Sequence, residues 1–372
     1  MWSSPSSSST RARSTSENAT ESARSWSSTG KIDPVPLEER IRALEDASAI
    51  AERLDIPELL NFVCFELDQL YWDAGSPALS LGAARRRLDV LDRIDSRFDR
   101  AEILATVAFT IMLIEGNYRE VEDLARRSYA LAKDMSPHAL MHATCGLIGA
   151  AYHAGRWAEL LPILDEHVAA YQHEAEVSCG MVRGGPLLGA MALAHRGDVD
   201  RARELAAMVP FRPDSDIYAI HARVAVACDD AESGRRMAED VLGSQPASTK
   251  PQAIIAMIES LIATQRWEDL REFLRPLDDA AGDVPIIRPT LDRAHGLLRL
   301  ADGDVNEGAQ ALRKALEGFE RLRVPFEAAR TREALAGCVE PAESSVLLRD
   351  ALSTYERLAA RPHAERVRSA LG

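Results

Sequence analysis

A chain of 372 residues that is 46% hydrophobic can bury a long continuous core, and an aromatic content of only 5% suits close packing of small aliphatic side chains. The formal net charge is −14; the first 31 residues carry a balance of +2 and leave −16 for the rest, a surface that repels phosphate backbones and anionic lipid. Direct nucleic-acid binding and membrane association are therefore not expected. Five cysteines (Cys64, Cys145, Cys179, Cys228, Cys338) stand singly with no C-x-x-C pair, the pattern of reduced thiols in a cytoplasmic protein. No apolar run reaches the ~20 residues a bilayer requires, and the N-terminus lacks the apolar segment of a secretory signal.

Residues 1–34 form a Ser-rich tail with almost no aliphatic side chains, too polar to bury a core and so expected to be disordered. From Pro36 the apolar spacing is helical. One helix is expected from Leu37 to about Leu54, a second after Pro57, and, beyond the Ala74-Gly75-Ser76-Pro77 break, a third from Leu79 to Arg93. No strand-like alternation follows. The pairs Gly185-Pro186, Arg212-Pro213, Gln245-Pro246, Val284-Pro285 and Arg288-Pro289 read as breaks between helices.

Helix breaks recur every 32 to 42 residues, at Gly75, Gly116, Gly155, Gly197, Asp229, Gln265 and Gly303, with a last one near Glu340-Pro341. Each lies between two helical stretches, so the chain repeats a helix-turn-helix unit, and a period in this range specifies stacked helical pairs. Two residues past the anchor stand Tyr118, Trp157, Trp267 and Val305, placed to pack under the turn. Five residues past it stand Val121, Leu160, Ala202, Gly234, Leu270 and Gly308, mostly small or aliphatic, which lets paired helices approach closely.

Gly-Asn-Tyr at 116–118, Gly-Arg-Trp at 155–157, Gly-Asp-Val at 197–199 followed by Ala202 and Ala206, and Pro246 closing a unit resemble the tetratricopeptide repeat family. The resemblance covers about residues 37–372. It implies an all-α, right-handed superhelical solenoid of about eight helical pairs over residues 35–372, with the first helix of each pair lining a concave groove. Mapped from the anchors, Thr110, His142, Cys145, Tyr152, His153, Met191, His195, Arg223, Gln252, Glu259 and Arg293 fall on that groove wall, a mixture that suits binding of a protein or peptide partner. The stretch from Gly318 to Thr331, with Val324-Pro325-Phe326-Glu327-Ala328-Ala329-Arg330, is similar to the repeat region that ends large bacterial signalling proteins. In those proteins a P-loop ATPase module precedes the repeats, often with a nucleotide cyclase in front or a LuxR-type DNA-binding module behind. Forty arginines against four lysines suit a GC-rich bacterial genome.

Catalytic motifs are missing from the sequence. Gly30-Lys31 has Ser25 and Ile32 where a phosphate-cradling loop needs Gly and a magnesium-binding hydroxyl, and no nucleophile-elbow, zinc-protease or dinucleotide fingerprint occurs. His142 and Cys145 share a helix face, with His153 two turns further on, but no second compact pair accompanies them, so neither a metal nor another cofactor is expected. The block at 325–330 reads as a structural helix entry, with Phe326 and Ala329 in the core and Glu327 and Arg330 paired across it. Two readings remain. One is a non-enzymatic interaction scaffold in bacterial signalling or transcriptional regulation; the other is the detached repeat region of an ATP-binding regulator or cyclase.

Overall fold

A computed structural model describes residues 35–174, 179–244, 250–277 and 284–372; the expected tail and the break at Pro246 lie outside them. Among the described residues the chain forms helices and no strands. In order they are α1 (Leu37–Arg53), α2 (Pro57–Asp73), α3 (Pro77–Asp89), α4 (Arg97–Ile114), α5 (Tyr118–Ala132), α6 (Pro137–His153), α7 (Trp157–His173), α8 (Gly184–His195) and α9 (Val199–Ala207). The second half carries α10 (Ala219–Ala227), α11 (Ala231–Ser244), α12 (Pro251–Ala263), α13 (Trp267–Leu274), α14 (Arg288–Ala301), α15 (Val305–Leu322), α16 (Pro325–Ala336), α17 (Pro341–Leu358) and α18 (Arg361–Leu371). None of them is long and apolar enough to cross a membrane.

Successive helices pack as pairs from α2–α3 through α16–α17, with α1 laid on α2 and α18 on α17. The first helices of neighbouring pairs also touch one another, α4 to α6, α6 to α8, α8 to α10 and α10 to α12. They make up the inner layer of a solenoid. Proline stands in the first turn of α2, α3, α6, α12, α14, α16, α17 and α18, where its missing N–H costs no helical hydrogen bond. Ser96, Asn117, Ser136 and Asp304 cap their helices by accepting from the amide three residues on.

The recurring breaks share one backbone conformation. Gly75, Gly116, Gly155, Gly197 and Gly303 all have φ between 68° and 87°, and Asp229 and Gln265, which take the same place in their units, sit at 63° and 55°. This left-handed residue ends the first helix and aims the second back along it. Of the side chains two past the anchor, Trp157 is buried and donates from Nε1 to the Tyr152 carbonyl at 2.9 Å, and Tyr118 is buried. Trp267 is half-buried, and Val305 lies exposed instead of packing under its turn. The small positions behave as expected: a Cβ on Gly234 would stand 2.7 Å from the Ala222 carbonyl oxygen, and one on Gly308 3.1 Å from that of Gly296.

Two expected breaks are helix starts. Gly185-Pro186 opens α8 and Arg288-Pro289 opens α14, because first-turn amides have no intrahelical acceptor to lose. Leu79–Arg93 is divided as well: α3 stops at Asp89 and a short 3-10 turn, Leu91–Arg93, follows.

The solenoid winds tightly enough to meet itself. The Gly116 turn lies against Ile286 and Leu322, the Gly155 turn against Pro325 and Leu358, and the Gly197 turn against Pro362, all roughly half the chain away. This contact generates a paired expectation. Gly155→Ala pays for a left-handed alanine and adds a Cβ 2.7 Å from Pro325 and 2.8 Å from Leu358, whereas Gly303→Ala pays only for the conformation, having nothing within 4 Å. The conformational cost is about 1–2 kcal/mol, and the overlap adds about 1–3 kcal/mol. Urea denaturation should therefore show Gly155→Ala clearly less stable than Gly303→Ala; equal losses would mean that the two halves do not touch there.

Candidate functional site

The expected groove residues divide between two environments. Six of them line or adjoin a narrow, largely filled interior where the first helices of the later pairs converge. Arg223 on α10 donates to Glu259 at 3.0 Å and to Gln252 at 3.0 Å, both on α12. Glu259 also accepts from Arg330 on α16 at 2.8 Å, Arg330 pairs with Glu327 at 3.3 Å, and Glu327 accepts from Arg293 on α14 at 2.5 Å. Three guanidiniums and two carboxylates thus connect four consecutive first helices. Arg223, Glu259 and Arg293 are each no more than 6% exposed, so these charges depend on one another rather than on water. Burial alone would raise the carboxyls of Glu259 and Glu327; the surrounding guanidiniums hold both below the ordinary carboxylate range. Beside the network, Tyr152 and His153 help enclose a cavity of about 40 Å³.

Aromatic rings continue this interior toward the C-terminus. His153 stacks on Tyr118 at 4.2 Å between centroids, Trp157 on His195 at 5.9 Å, and His195 lies 4.3 Å from Phe326 and 5.6 Å from His363. Met191 and Cys145 are fully packed, and the Cys145 thiol donates to the Met181 carbonyl at 3.1 Å. His195, Met191 and Cys145 are therefore covered by protein and present no surface to a partner.

Thr110 and His142 belong to the second environment, a cavity of about 490 Å³ against α2, α4 and α6 and the segments at 179–183 and 212–218. Its apolar lining includes Phe65, Trp72, Phe109, Leu113, Ile217 and Tyr218. Acidic groups outnumber basic ones: Asp68, Asp73, Glu102, Asp214 and Asp216 against Arg183 and Arg212. Asp68 accepts from Ser80 at 2.6 Å and from Thr110 at 3.1 Å, and burial raises its carboxyl despite those bonds. Asp216 accepts from the amides of Gln252 and Ala253 at the start of α12, and burial lifts it to about 7.

One edge of this cavity gathers imidazole, thiol and carboxylate. His142 Nδ1 lies 2.9 Å from Glu102, and its Nε2 lies 3.2 Å from Cys179 Sγ. His138, one turn earlier on α6, brings its ring centroid to 4.4 Å from that of His142 and its Nδ1 to 3.7 Å from Glu174. Burial alone would raise the Cys179 thiol, but hydrogen bonds from His138 and His142 draw it down to about 5. Burial would likewise lower His142, and its bonds to Cys179 and Glu102 raise it to about 9. The pairing that sequence spacing suggested, His142 with Cys145, is not formed. Cys179 takes that place from a segment between helices, 37 positions away, and His138 at i−4 was the local signal. Glu327 and Arg330 were read as a helix entry; they also complete the buried charge network.

Glu327→Gln leaves Arg293 short of a buried partner and should cost about 3–5 kcal/mol. Glu343→Gln weakens the outer pair with Arg313, whose two side chains are 47% and 49% exposed, and should cost about 1 kcal/mol or less in the same urea titration. Acid should destabilise the fold early. Burial holds His153 at about 3 and His167, His221 and His363 at about 4. Each is therefore neutral when folded but binds a proton when unfolded below its free pKa of about 6.5. Asp216, which binds its proton near pH 7 in the folded state, opposes this with one proton against four, so stability should still fall as pH drops from about 6.5 toward 4, before the depressed carboxylates contribute their own loss below about 4.3. A flat melting temperature between pH 7 and 5 would contradict this burial.

No family model matches the chain, and no curated protein does. Among solved structures it is similar to a Rap protein complexed with competence and sporulation factor, at 8% identity over 84% of this chain and 96% of that one, with a TM-score of 0.51. It also matches a signal transduction ATPase with a tetratricopeptide repeat sensor from Pyrococcus horikoshii (15% identity, 85% and 62% coverage, TM-score 0.35). A third match is the human IFIT1 dimer with m7Gppp-AAAA (12%, 92% and 86%, TM-score 0.41). At these identities the likeness concerns the fold alone. Helical pairs with left-handed anchors, stacked through their first helices, make this chain a tetratricopeptide-type α-solenoid.

Proposed function

We propose that the protein is a non-enzymatic interaction scaffold that binds a peptide segment of a partner protein in the 490 Å³ cavity, in bacterial signalling or transcriptional regulation. The observation that carries this reading is the division of the inner surface. Its later part is filled by the chain's own charge network and aromatic rings, while the part against α2, α4 and α6 remains concave and lined by aromatic and acidic side chains. Concave walls built from first helices are where solenoids bind. Aromatic and aliphatic lining with an excess of carboxylates suits a segment with one apolar anchor and a neighbouring basic side chain. The similar Rap structure holds a factor, which supports the reading by analogy of fold. The net charge of −14 argues against a nucleic-acid partner.

Peptide display on the intact chain, followed by fluorescence anisotropy with the selected sequences, tests this. Selected peptides should share an apolar and a basic position and bind at about micromolar strength. The double variant Asp73→Arg, Asp214→Arg reverses charge at two exposed wall positions and should weaken them about tenfold or more. Glu317→Arg, exposed on α15, should not. Peptides that bind equally to all three proteins, or tight binding of a generic oligonucleotide, would remove the proposal.

A further inference from the structure

His138, His142 and Cys179 form a cluster that partner binding does not require. Their ligand-type atoms lie within 4.8 Å of one another, and His142 Nε2 stands 3.2 Å from Cys179 Sγ. A tetrahedral zinc ion with bonds of about 2.0–2.1 Å to nitrogen and about 2.3 Å to sulfur sets its ligand atoms about 3.3–3.6 Å apart. Separations from 3.2 Å up to 4.8 Å bracket that range. We infer that His138, His142 and Cys179 bind one zinc ion, with its fourth position turned toward the adjoining cavity.

Three features beyond proximity point the same way. First, His142 has a carboxylate partner on its far ring nitrogen, Glu102 at 2.9 Å from Nδ1, while Glu174 stands 3.7 Å from His138 Nδ1, beyond hydrogen-bond distance. A carboxylate on the far ring nitrogen fixes the tautomer that leaves the other nitrogen free to coordinate, the usual second layer of a zinc site. Here Glu102 leaves Nε2 of His142 for the metal, the same atom that meets Cys179. Second, imidazole nitrogen and thiolate sulfur are both zinc ligands, and three protein ligands with an open fourth position is the arrangement of zinc sites that admit water or substrate. Third, there is a way in. The cavity of about 490 Å³ reaches His142 and Cys179, and the His138 side chain is 32% exposed on the other side. On binding, Cys179 Sγ, His142 Nε2 and one ring nitrogen of His138 each form a bond to the ion, and the proton shared by Sγ and Nε2 leaves to solvent.

A catalytic reading of the same atoms exists, since Cys179, His142 and Glu102 are also spaced as nucleophile, base and orienting acid. The position of His138 favours the metal: a thiol–imidazole pair needs one histidine, and a second at i−4 is superfluous to it.

The test uses the whole chain, purified in reductant and stripped with chelator, and titrates it with cobalt(II) and then zinc(II) in the absence of any peptide. One equivalent of cobalt should give a thiolate-to-cobalt charge-transfer band and the intense visible bands of a tetrahedral site, and zinc should bleach both. Cys179→Ser should abolish the charge-transfer band, while Cys145→Ser should keep it. Glu102→Gln should bind zinc about 10–100-fold more weakly. In the unmodified protein, zinc should protect Cys179 from iodoacetamide as read by peptide mass mapping, a measurement that needs no variant to fold. Absence of the band, a band that survives Cys179→Ser, or alkylation of Cys179 indifferent to zinc would each overturn the site. Fast alkylation of Cys179 without zinc retention would return the cluster to the nucleophile reading. Because no peptide is present, failure here leaves the partner reading untouched.

Discussion

The buried charge network between α10, α12, α14 and α16 constrains the rest of the molecule. A solenoid of helical pairs has only nearest-neighbour contacts unless something fixes its pitch. Here Glu259 accepts from Arg223 on the preceding first helix and from Arg330 two first helices later, so one carboxylate spans the α14 repeat. That bond requires strong inward curvature. Desolvating five charges is expensive, and the cost is offset only where every partner is in place. The network therefore specifies one winding more than it adds stability.

Curvature decides what the inner surface can do. Because the chain meets itself at the Gly116, Gly155 and Gly197 turns, part of the wall that an open solenoid would offer is covered by its own later repeats. What remains is the cavity between α2, α4 and α6, with an aromatic lining, an acidic excess and the His138–His142–Cys179 edge. Partner reading and metal reading both belong to this uncovered part, and neither needs chemistry from the covered one.

Much of the fold could be read from the sequence, because turn chemistry is local. The anchor positions from Gly75 to Gly303 take the left-handed conformation even where Asp229 and Gln265 replace glycine, since helix reversal imposes it on whatever residue is there. The proline breaks were read less well: a proline in a first turn and a proline between helices look alike along the chain, and α8 and α14 begin on such pairs. The groove was legible as a helix face but not as an accessible surface. Met191 and His195 lie on that face and are covered by packing against residues far along the chain, information that periodicity cannot carry. Cys179 escaped for the same reason, sitting in a segment without helical spacing, while its partner His142 was picked out.

The superhelix closes on itself, and an intramolecular distance reads that closure directly. Arg119 on α5 and Arg321 near the end of α15 line the same crevice from the two halves of the chain. Nitroxides attached there through non-natural residues, which spare the native thiols, can be measured by double electron–electron resonance. A closed superhelix gives one short, narrow distance distribution in the free protein. A broad or long distribution would mean that the solenoid is open, its charge network unformed and its inner wall available along the whole length.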